Sequence, residues 1–211
     1  CVVVVGHEAE AVSASLAGYG DRVRTALQDR QLGTGHAVGC ALAAVDPAAD
    51  LALVLCGDTP LLGAEDVRHL VKSLDGMPEG LLGMLTCEVD DPTGYGRIVR
   101  EGGAVRAIVE HKDASEEQRR IREINPAMYL CRLTFLREEV PKLEPNNAQG
   151  ELYFTDVVAR AAERGGAIAK LSSDAASLAG INDRAQLAAA EEVLYRRIAD
   201  DLAKSGVTVR G

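Results

Sequence analysis

Asp58 is a residue whose type and position suggest chemistry. It follows the apolar run 51–55 and lies in the segment Gly-Asp-Thr-Pro at 57–60. Ligands of open α/β sheets bind at the carboxyl ends of strands, where a carboxylate can hold Mg²⁺ together with substrate phosphates. The same side chain could instead cap the turn before Pro60. The spacing leaves both interpretations open.

A second candidate is the segment Gln-Leu-Gly-Thr-Gly-His-Ala at 31–37, which precedes a helical pattern of small residues. Glycines let a backbone approach a ligand, and a helix N-terminus offers free N–H groups. The spacing of Gly33, Gly35 and Gly39 is one residue from the dinucleotide fingerprint, and Asp58 lies at about the distance of its ribose-binding acid. A dinucleotide-dependent oxidoreductase domain is therefore an alternative, as is a plain loop before a helix.

Further polar segments could surround a ligand, although each is also typical of an ordinary turn or a solvated face. In the charged run 110–113, Glu110 could accept hydrogen bonds from sugar hydroxyls. Asn182 could be a metal ligand or the N-cap of the last helix. The remaining segments are Asp-Pro-Thr-Gly-Tyr-Gly-Arg-Ile at 91–98, Asn125 before Pro126, and the loop 145–151. The P-loop, nucleophile-elbow and paired-histidine metal signatures are absent.

The hydrophobic pattern predicts the scaffold for these segments. Continuous apolar strands at 2–5 and 51–55 and a short strand at 22–27 are each followed by a helical pattern, at 7–16, 64–74 and 36–45 respectively. Such strands indicate a mostly parallel sheet covered on both faces, in a doubly wound α/β fold. Strand patterns at 82–89, 96–100 and 104–110, with Glu-Gly-Gly at 101–103, predict an antiparallel excursion with a tight hairpin.

Two helices are predicted in the last third of the chain, at 151–163 and 183–204. The second has Asn182 or Asp183 as its N-cap. Its apolar residues recur near one face with the helical period, namely Leu187, Val193, Leu194, Ile198 and Leu202.

Composition narrows the class of protein. The formal net charge of −9 opposes binding to a nucleic-acid backbone or an anionic membrane surface. No apolar run approaches the roughly 20 residues that a membrane-spanning helix needs. The five cysteines are scattered through apolar runs, which is typical of buried thiols in a reducing cytosol. We therefore expect a cytoplasmic protein with a small phosphorylated ligand.

Taken in order, the motifs resemble those of the bacterial N-acetylglucosamine-1-phosphate uridyltransferase family, from about Val2 to Gly211. The series comprises Gln-Leu-Gly-Thr-Gly-His-Ala, Gly-Asp-Thr-Pro-Leu, Gly-Tyr-Gly-Arg-Ile, Glu-His-Lys-Asp-Ala, Glu-Ile-Asn, Asn-Asn-Ala-Gln-Gly-Glu and Gly-Ile-Asn-Asp-Arg-Ala-Gln-Leu. The resemblance implies a pyrophosphorylase domain that joins N-acetylglucosamine-1-phosphate to UTP, with Mg²⁺ as cofactor.

The resemblance also implies a role for each matching residue. Asp58 and Asn182 would be the catalytic residues and the Mg²⁺ ligands. Gln28, Gly33 and Thr34 would contact the uracil and ribose of the nucleotide. The turn Cys56, Gly57 and Asp58 matches a Tyr-Gly-Asp turn of the family. The N-acetylglucosamine would be surrounded by Gly96, Glu110, Asn125, Tyr153 and Thr155.

The chain departs from the family pattern in three places. The family's opening phosphate loop with its Arg and Lys is missing, so we expect the chain by itself to turn over poorly or to bind a sugar nucleotide without catalysis. Residues 1–204 would be the transferase domain, and 205–211 would lead into an acetyltransferase domain that this sequence lacks. A homotrimer is expected only with that second domain. Pro126-Ala127 replace a small residue and Gly, which could tighten or misplace the sugar pocket.

Overall fold

The structure, a computed structural model, describes residues 1–75, 80–172, 174–181 and 183–210. Strands and helices alternate through the first third of the chain, and strands dominate the middle. The elements are β1 Val2–Val5, α1 Ala9–Leu16, β2 Arg24–Leu27, α2 Thr34–Leu42, β3 Leu51–Val54, α3 Ala64–Asp75, β4 Leu82–Glu88, β5 Gly96–Glu101, β6 Ala104–Val109, α4 Glu116–Arg119, β7 Glu123–Asn125, β8 Tyr129–Arg132, α5 Leu133–Glu139, α6 Thr155–Glu163, β9 Ala167–Ser172 and α7 Arg184–Lys204.

The strands form two sheets. β1 and β2 pair in parallel as a small two-stranded sheet. The larger sheet has the order β3-β8-β4-β7-β5-β6, and β9 pairs in parallel with the opposite edge of β4. The pairs from β3 to β6 in this order are antiparallel. The predicted α/β class with an antiparallel excursion is confirmed, and β5 and β6 form the predicted hairpin around Gly102 and Gly103, both with positive φ.

β7 and β8 lie end to end along one edge of β4. Cys87 of β4 faces Ile124 of β7, whereas Leu82 faces Cys131 of β8. Between them the chain leaves the ladder at Pro126, which has no N–H to donate. This interruption lies at the carboxyl end of β7, where Asn125, Pro126 and Ala127 line a cavity.

The core consists of two apolar clusters on the larger sheet. One contains Met84, Tyr129, Phe135 and Phe154, so it joins the sheet to α5 and the start of α6. The other contains Leu70, Leu85 and Leu178 and lies under α3. Because 3% of the residues are aromatic, aliphatic side chains fill most of both clusters.

Apolar side chains of two elements remain exposed in the structure. β3 was expected to be covered on both faces, but Leu51 and Leu53 remain 37% and 39% exposed. Leu51 and Leu53 lie two residues apart and therefore on the same face of β3, so it is this face that the core leaves uncovered. In α7, Leu187, Leu194 and Ile198, which belong to the predicted apolar face, are also exposed.

Several element boundaries also differ from the predictions. α6 begins at Thr155 rather than at 151, because residues before it extend along the loop that precedes α2. Asp183 is the N-cap of α7, where its carboxylate accepts the Gln186 N–H at 2.8 Å. In the described part of the chain, no helix is long and apolar enough to cross a bilayer.

Candidate active site

Asp58 lies in the turn after β3, with its side chain exposed. Its backbone carbonyl accepts the Ile181 N–H at 2.8 Å, so the chain before α7 is fixed against this turn. A Cβ added at Gly180 would lie 3.4 Å from Asp58 Oδ2. The carboxylate itself carries no structural hydrogen bond among the described residues, which leaves its oxygens available to a cation or a ligand.

A cavity of about 410 Å³ opens beside Asp58. It combines the ends of β3 and β7 with the loops before β5 and α7. Its lining consists of Cys56, Asp58, Thr59, Thr93, Gly94, Tyr95, Asn125, Pro126, Ala127 and Gly180. Of the predicted residues, Cys56, Asp58 and Asn125 therefore share one wall, and Gly57 lies in the chain between the first two. None of the described lining residues is Lys or Arg.

Cys56 is held in the cavity wall as a neutral thiol. Burial, together with the nearby Asp58 carboxylate, raises the pKa of its thiol to about 11. Its backbone carbonyl accepts the hydroxyl of the buried Thr59 at 3.1 Å, which tightens the turn that presents Asp58. A thiol with so high a pKa is a poor nucleophile near neutral pH, so Cys56 lines the cavity without serving as a nucleophile.

Asn125 shapes the floor of the cavity. Its side-chain oxygen accepts the Ala127 N–H at 3.0 Å, closing a small turn over Pro126. Ala127 has φ 58°, a left-handed conformation that favours glycine. The sequence departure at this position is therefore accommodated by a strained alanine, and the hydrogen bond to Asn125 supports that conformation.

Next to the cavity, Gly96, Glu110 and Thr155 form a second group. A Cβ at Gly96 would lie 3.4 Å from both carboxylate oxygens of Glu110 and 2.8 Å from Ile108, so only glycine fits there. Gly96 is also paired with Asn125 across β5 and β7, which connects this group to the cavity floor. Burial raises the pKa of the Glu110 carboxyl, and the nearby carboxylates of Asp113 and Asp156 act in the same direction.

Thr155 contributes a buried hydroxyl that the described residues satisfy poorly. Its Oγ1 is buried and reaches no hydrogen-bond partner among the described residues, although it lies near enough to Glu110 to favour the ionised carboxylate. Buried hydroxyls are normally paired, because an unpaired one costs about 1–3 kcal/mol. An unpaired hydroxyl beside a carboxylate is the arrangement expected where a ligand supplies the missing partner.

Tyr129 is a site residue that the sequence did not reveal. It is fully buried, and its hydroxyl lies among Asn125, Glu110 and Cys56, so it connects the two groups of residues. Burial raises the pKa of this phenol well above its usual value. The only available signal was its position on β8, opposite Val54 of β3, and no motif marks it.

Arg97, which the sequence analysis did not single out, supports the wall of the site. It is 1% exposed, and its guanidinium donates to the carbonyl of Tyr95 and lies 3.2 Å from His111 Nδ1. These contacts hold the cavity wall at Tyr95 against the loop that follows Glu110.

Gln28, Gly33 and Thr34 lie together at the start of α2. Gly33 has φ 106°, and a Cβ there would lie 2.7 Å from the carbonyl oxygen of Leu152. Thr34 Oγ1 accepts the Phe154 N–H at 3.0 Å. The glycine is therefore required by backbone-to-backbone packing, which weakens the dinucleotide interpretation.

The segment from Leu152 to Thr155 links this group to the sugar-side group, because it contacts the α2 loop at one end and Glu110 at the other. Tyr153, in the same segment, is buried, and its hydroxyl accepts the Gln149 amide at 2.7 Å. Asn182, predicted as a second metal ligand, lies outside the described residues. Since Asp183 caps α7, the capping role proposed for Asn182 is already filled.

Comparison with known proteins identifies the family of this chain. Residues 1–123 match the family described as the MobA-like NTP transferase domain. The chain belongs to this family. It is therefore a nucleotidyltransferase, and the resemblance drawn from its ordered motifs is confirmed.

Relatives extend the match to nearly the whole chain. The bifunctional protein GlmU of Sorangium cellulosum is 56% identical over 99% of this chain, which covers 45% of that protein. The proteins of the same name from Cutibacterium acnes and Streptomyces coelicolor are 46% and 47% identical, with 51% and 44% of their lengths covered. The chain thus spans about half the length of these relatives.

A solved structure supports the fold. A putative glucose-1-phosphate thymidylyltransferase from Bacillus anthracis matches 82% of this chain and 67% of its own chain, with a TM-score of 0.64. At 23% identity, this likeness concerns the architecture of the sheet and helices only.

Glu110→Gln is expected to increase the free energy of unfolding more at pH 7 than at pH 4. Because the pKa of Glu110 is raised in the folded protein, its stabilising contribution is present below the unfolded pKa and is lost as pH rises. Urea denaturation at the two pH values measures this difference. An equal effect at both pH values would contradict the raised pKa.

Glu123→Gln is the matched control with the opposite sign. Burial opposes ionisation of Glu123, but its hydrogen bonds with Arg100 and Thr86 outweigh burial and lower its pKa. Its stabilising contribution is therefore present above the unfolded pKa and is lost as pH falls. This substitution should cost about 2 kcal/mol at pH 7 and less at pH 4.

Proposed function

We propose that the protein transfers a uridylyl group from UTP to N-acetylglucosamine-1-phosphate, giving UDP-N-acetylglucosamine and pyrophosphate. The observation that carries this proposal is that the site has two chemically different ends, one at Asp58 and the other at Glu110 and Thr155. Asp58 stands exposed at the cavity, whereas Glu110 and the unpaired Thr155 hydroxyl lie behind Asn125. The family and the GlmU relatives support the reaction class.

The Glu110 end suits an uncharged polyhydroxy ligand. Asp113 and Asp156 lie close enough to Glu110 to raise its pKa, and three acids would repel a phosphate. Carboxylates accept hydrogen bonds from sugar hydroxyls, and the Thr155 hydroxyl can pair with an amide or hydroxyl of the same sugar. These properties support the proposal that the N-acetylglucosamine ring binds beside Gly96, Glu110, Asn125, Tyr153 and Thr155.

The Asp58 end suits a phosphate-bound cation. Mg²⁺ prefers hard oxygen ligands and usually takes one or two from the protein, with phosphates and water completing its shell. The free Asp58 carboxylate fits this requirement, and among the described lining residues no Lys or Arg competes for the phosphates. Asn182 would supply a second oxygen. When bound, the ion would neutralise charge on the two phosphorylated substrates.

In the proposed reaction, an oxygen of the sugar-1-phosphate attacks the α-phosphorus of UTP, and the bond to the β-phosphate oxygen breaks to release pyrophosphate. The protein forms no covalent intermediate, in agreement with the protonated Cys56 thiol. Its residues orient the sugar from the Glu110 side and the nucleotide from Gln28, Gly33 and Thr34. Catalysis then arises from positioning and charge neutralisation.

A pyrophosphate-release assay with UTP, N-acetylglucosamine-1-phosphate and Mg²⁺ tests the function. Turnover that requires both substrates and the metal is the expected result. Sugar-nucleotide binding that ignores Mg²⁺ and is not accompanied by turnover would instead indicate a binding module. Dependence on NADH or NADPH would favour the oxidoreductase alternative.

Thr155→Val tests the sugar end. Valine has nearly the shape of threonine and removes an unpaired hydroxyl, so the free energy of unfolding should stay constant or rise by about 1 kcal/mol. Loss of the ligand hydrogen bond should raise KM for the sugar phosphate about tenfold. Steady-state kinetics and urea denaturation measure the two effects.

Thr86→Val is the matched control, because the buried Thr86 hydroxyl donates to Glu123. Here stability should fall by about 1–3 kcal/mol, while KM for the sugar phosphate stays unchanged. If Thr155→Val destabilises the protein as Thr86→Val does and leaves KM unchanged, its hydroxyl has a structural partner and no role in sugar binding.

A further inference from the structure

His36, in the first turn of α2, lies between two side chains, one at each of its ring nitrogens. Its Nδ1 is 3.1 Å from Gln28 Nε2, and its Nε2 is 3.8 Å from Cys40 Sγ. The three residues form a short chain from the helix to the predicted base-binding glutamine. Neither the ordered motifs nor the proposed mechanism gives His36 a role.

The Gly33 carbonyl identifies which end of the Gln28 amide lies beside His36. Gln28 Nε2 lies 3.1 Å from that oxygen, which can only accept a hydrogen bond. The amide nitrogen must therefore be on this side, and its second N–H is available for His36 Nδ1. The Nδ1 atom then accepts, so the ring carries its proton on Nε2, towards the weakly accepting sulfur of Cys40.

This orientation leaves the side-chain oxygen of Gln28 on the opposite side of the amide. Both N–H groups of Gln28 are used within the protein, while its side-chain oxygen receives no hydrogen bond from the described residues. Gln28 is only 9% exposed, so the amide has a well-defined environment. The group left for a ligand is an acceptor. Uracil presents a donor at N3, whereas cytosine presents an acceptor there.

We propose that His36 is a positioning residue that holds the Gln28 amide with its oxygen towards the nucleotide base, and so selects uracil over cytosine. The inference rests on the proposed function, in which Gln28 faces the base. Without an acceptor at Nδ1, the amide loses one of the two bonds that set its orientation. Held through the Gly33 carbonyl alone, the amide turns more readily and presents an N–H group, which N3 of cytosine accepts.

The test compares His36→Leu with His36→Asn. Asparagine and leucine have similar shapes, but asparagine keeps an acceptor at the position of Nδ1. Calorimetric titration with UTP and with CTP, both with Mg²⁺, gives the ratio of their dissociation constants. The preference for UTP should fall about tenfold in His36→Leu and stay within about threefold of the original in His36→Asn. An unchanged preference in His36→Leu would overturn the proposal.

Two further measurements keep the result decisive. Nitrogen-15 NMR of the unmodified protein should show His36 with Nδ1 unprotonated and Nε2 protonated, and the opposite tautomer would overturn the proposal even if His36→Leu did not fold. If the unmodified protein neither prefers UTP nor turns it over, the proposed function fails. If it prefers UTP and His36→Leu keeps that preference, only the role of His36 fails.

Discussion

Asp58→Asn should reduce kcat/KM about 10²–10³-fold, by analogy with the loss of one charge-stabilising group in other active sites. The substitution keeps the size of the side chain and removes its charge, which weakens its hold on Mg²⁺ between two phosphorylated substrates. Folding should be unaffected, because the backbone carbonyl of Asp58 makes the contact to Ile181 and the carboxylate is exposed. The Mg²⁺ concentration needed for half-maximal rate should rise.

Asp200→Asn provides the matched control, since Asp200 is an exposed carboxylate on α7. It removes the same charge from the protein and should leave both the rate and the Mg²⁺ requirement unchanged. Pyrophosphate release measured over a range of Mg²⁺ concentrations separates the two variants. A rate for Asp58→Asn equal to that of the control would falsify the assignment of Asp58 as a metal ligand.

Gly33→Ala should lower the free energy of unfolding by about 3–5 kcal/mol. The added Cβ would lie 2.7 Å from the carbonyl oxygen and 2.9 Å from the backbone nitrogen of Leu152. Neither contact can be relieved by a side-chain rotation, because both involve backbone. The Gly35 N–H also bonds to the Leu152 carbonyl at 2.7 Å, so displacement would break a short hydrogen bond.

Gly103→Ala separates this steric effect from the cost of the backbone conformation. Gly103 also has a positive φ, of 84°, but a Cβ there meets nothing within 4 Å. It should therefore cost only about 1–2 kcal/mol. Urea denaturation of both variants measures the difference. Similar losses in the two would mean that the α2 loop moves away from Leu152 at little cost.

Much of the local structure follows from the sequence. Short apolar runs predicted β1 and β3 to within a residue, because four or five consecutive apolar residues have the length of a strand and are too few for a helix. The Gly102-Gly103 turn joined β5 and β6 as predicted, since both residues need positive φ. The ordered motifs also identified the family, which composition alone could not do.

Whether an apolar face of a strand or helix is buried depends on which other elements pack against it. The periodicity of the sequence does not specify these packing partners. The leucines of β3 and α7 have the pattern of core residues, yet they stay exposed because no described element covers them. Their exposure therefore could not be predicted.

The site shows the same division between local and long-range information. The sequence identified Asp58, Glu110 and Asn125 as candidates, because each residue type suits its proposed ligand. Glycine is required at position 33 because the backbone of Leu152, more than a hundred residues later, packs against it. Tyr129 reaches the site through the pairing of its strand with β3 and β4. Such contacts depend on distances between segments remote in sequence, so only the tertiary structure decided them.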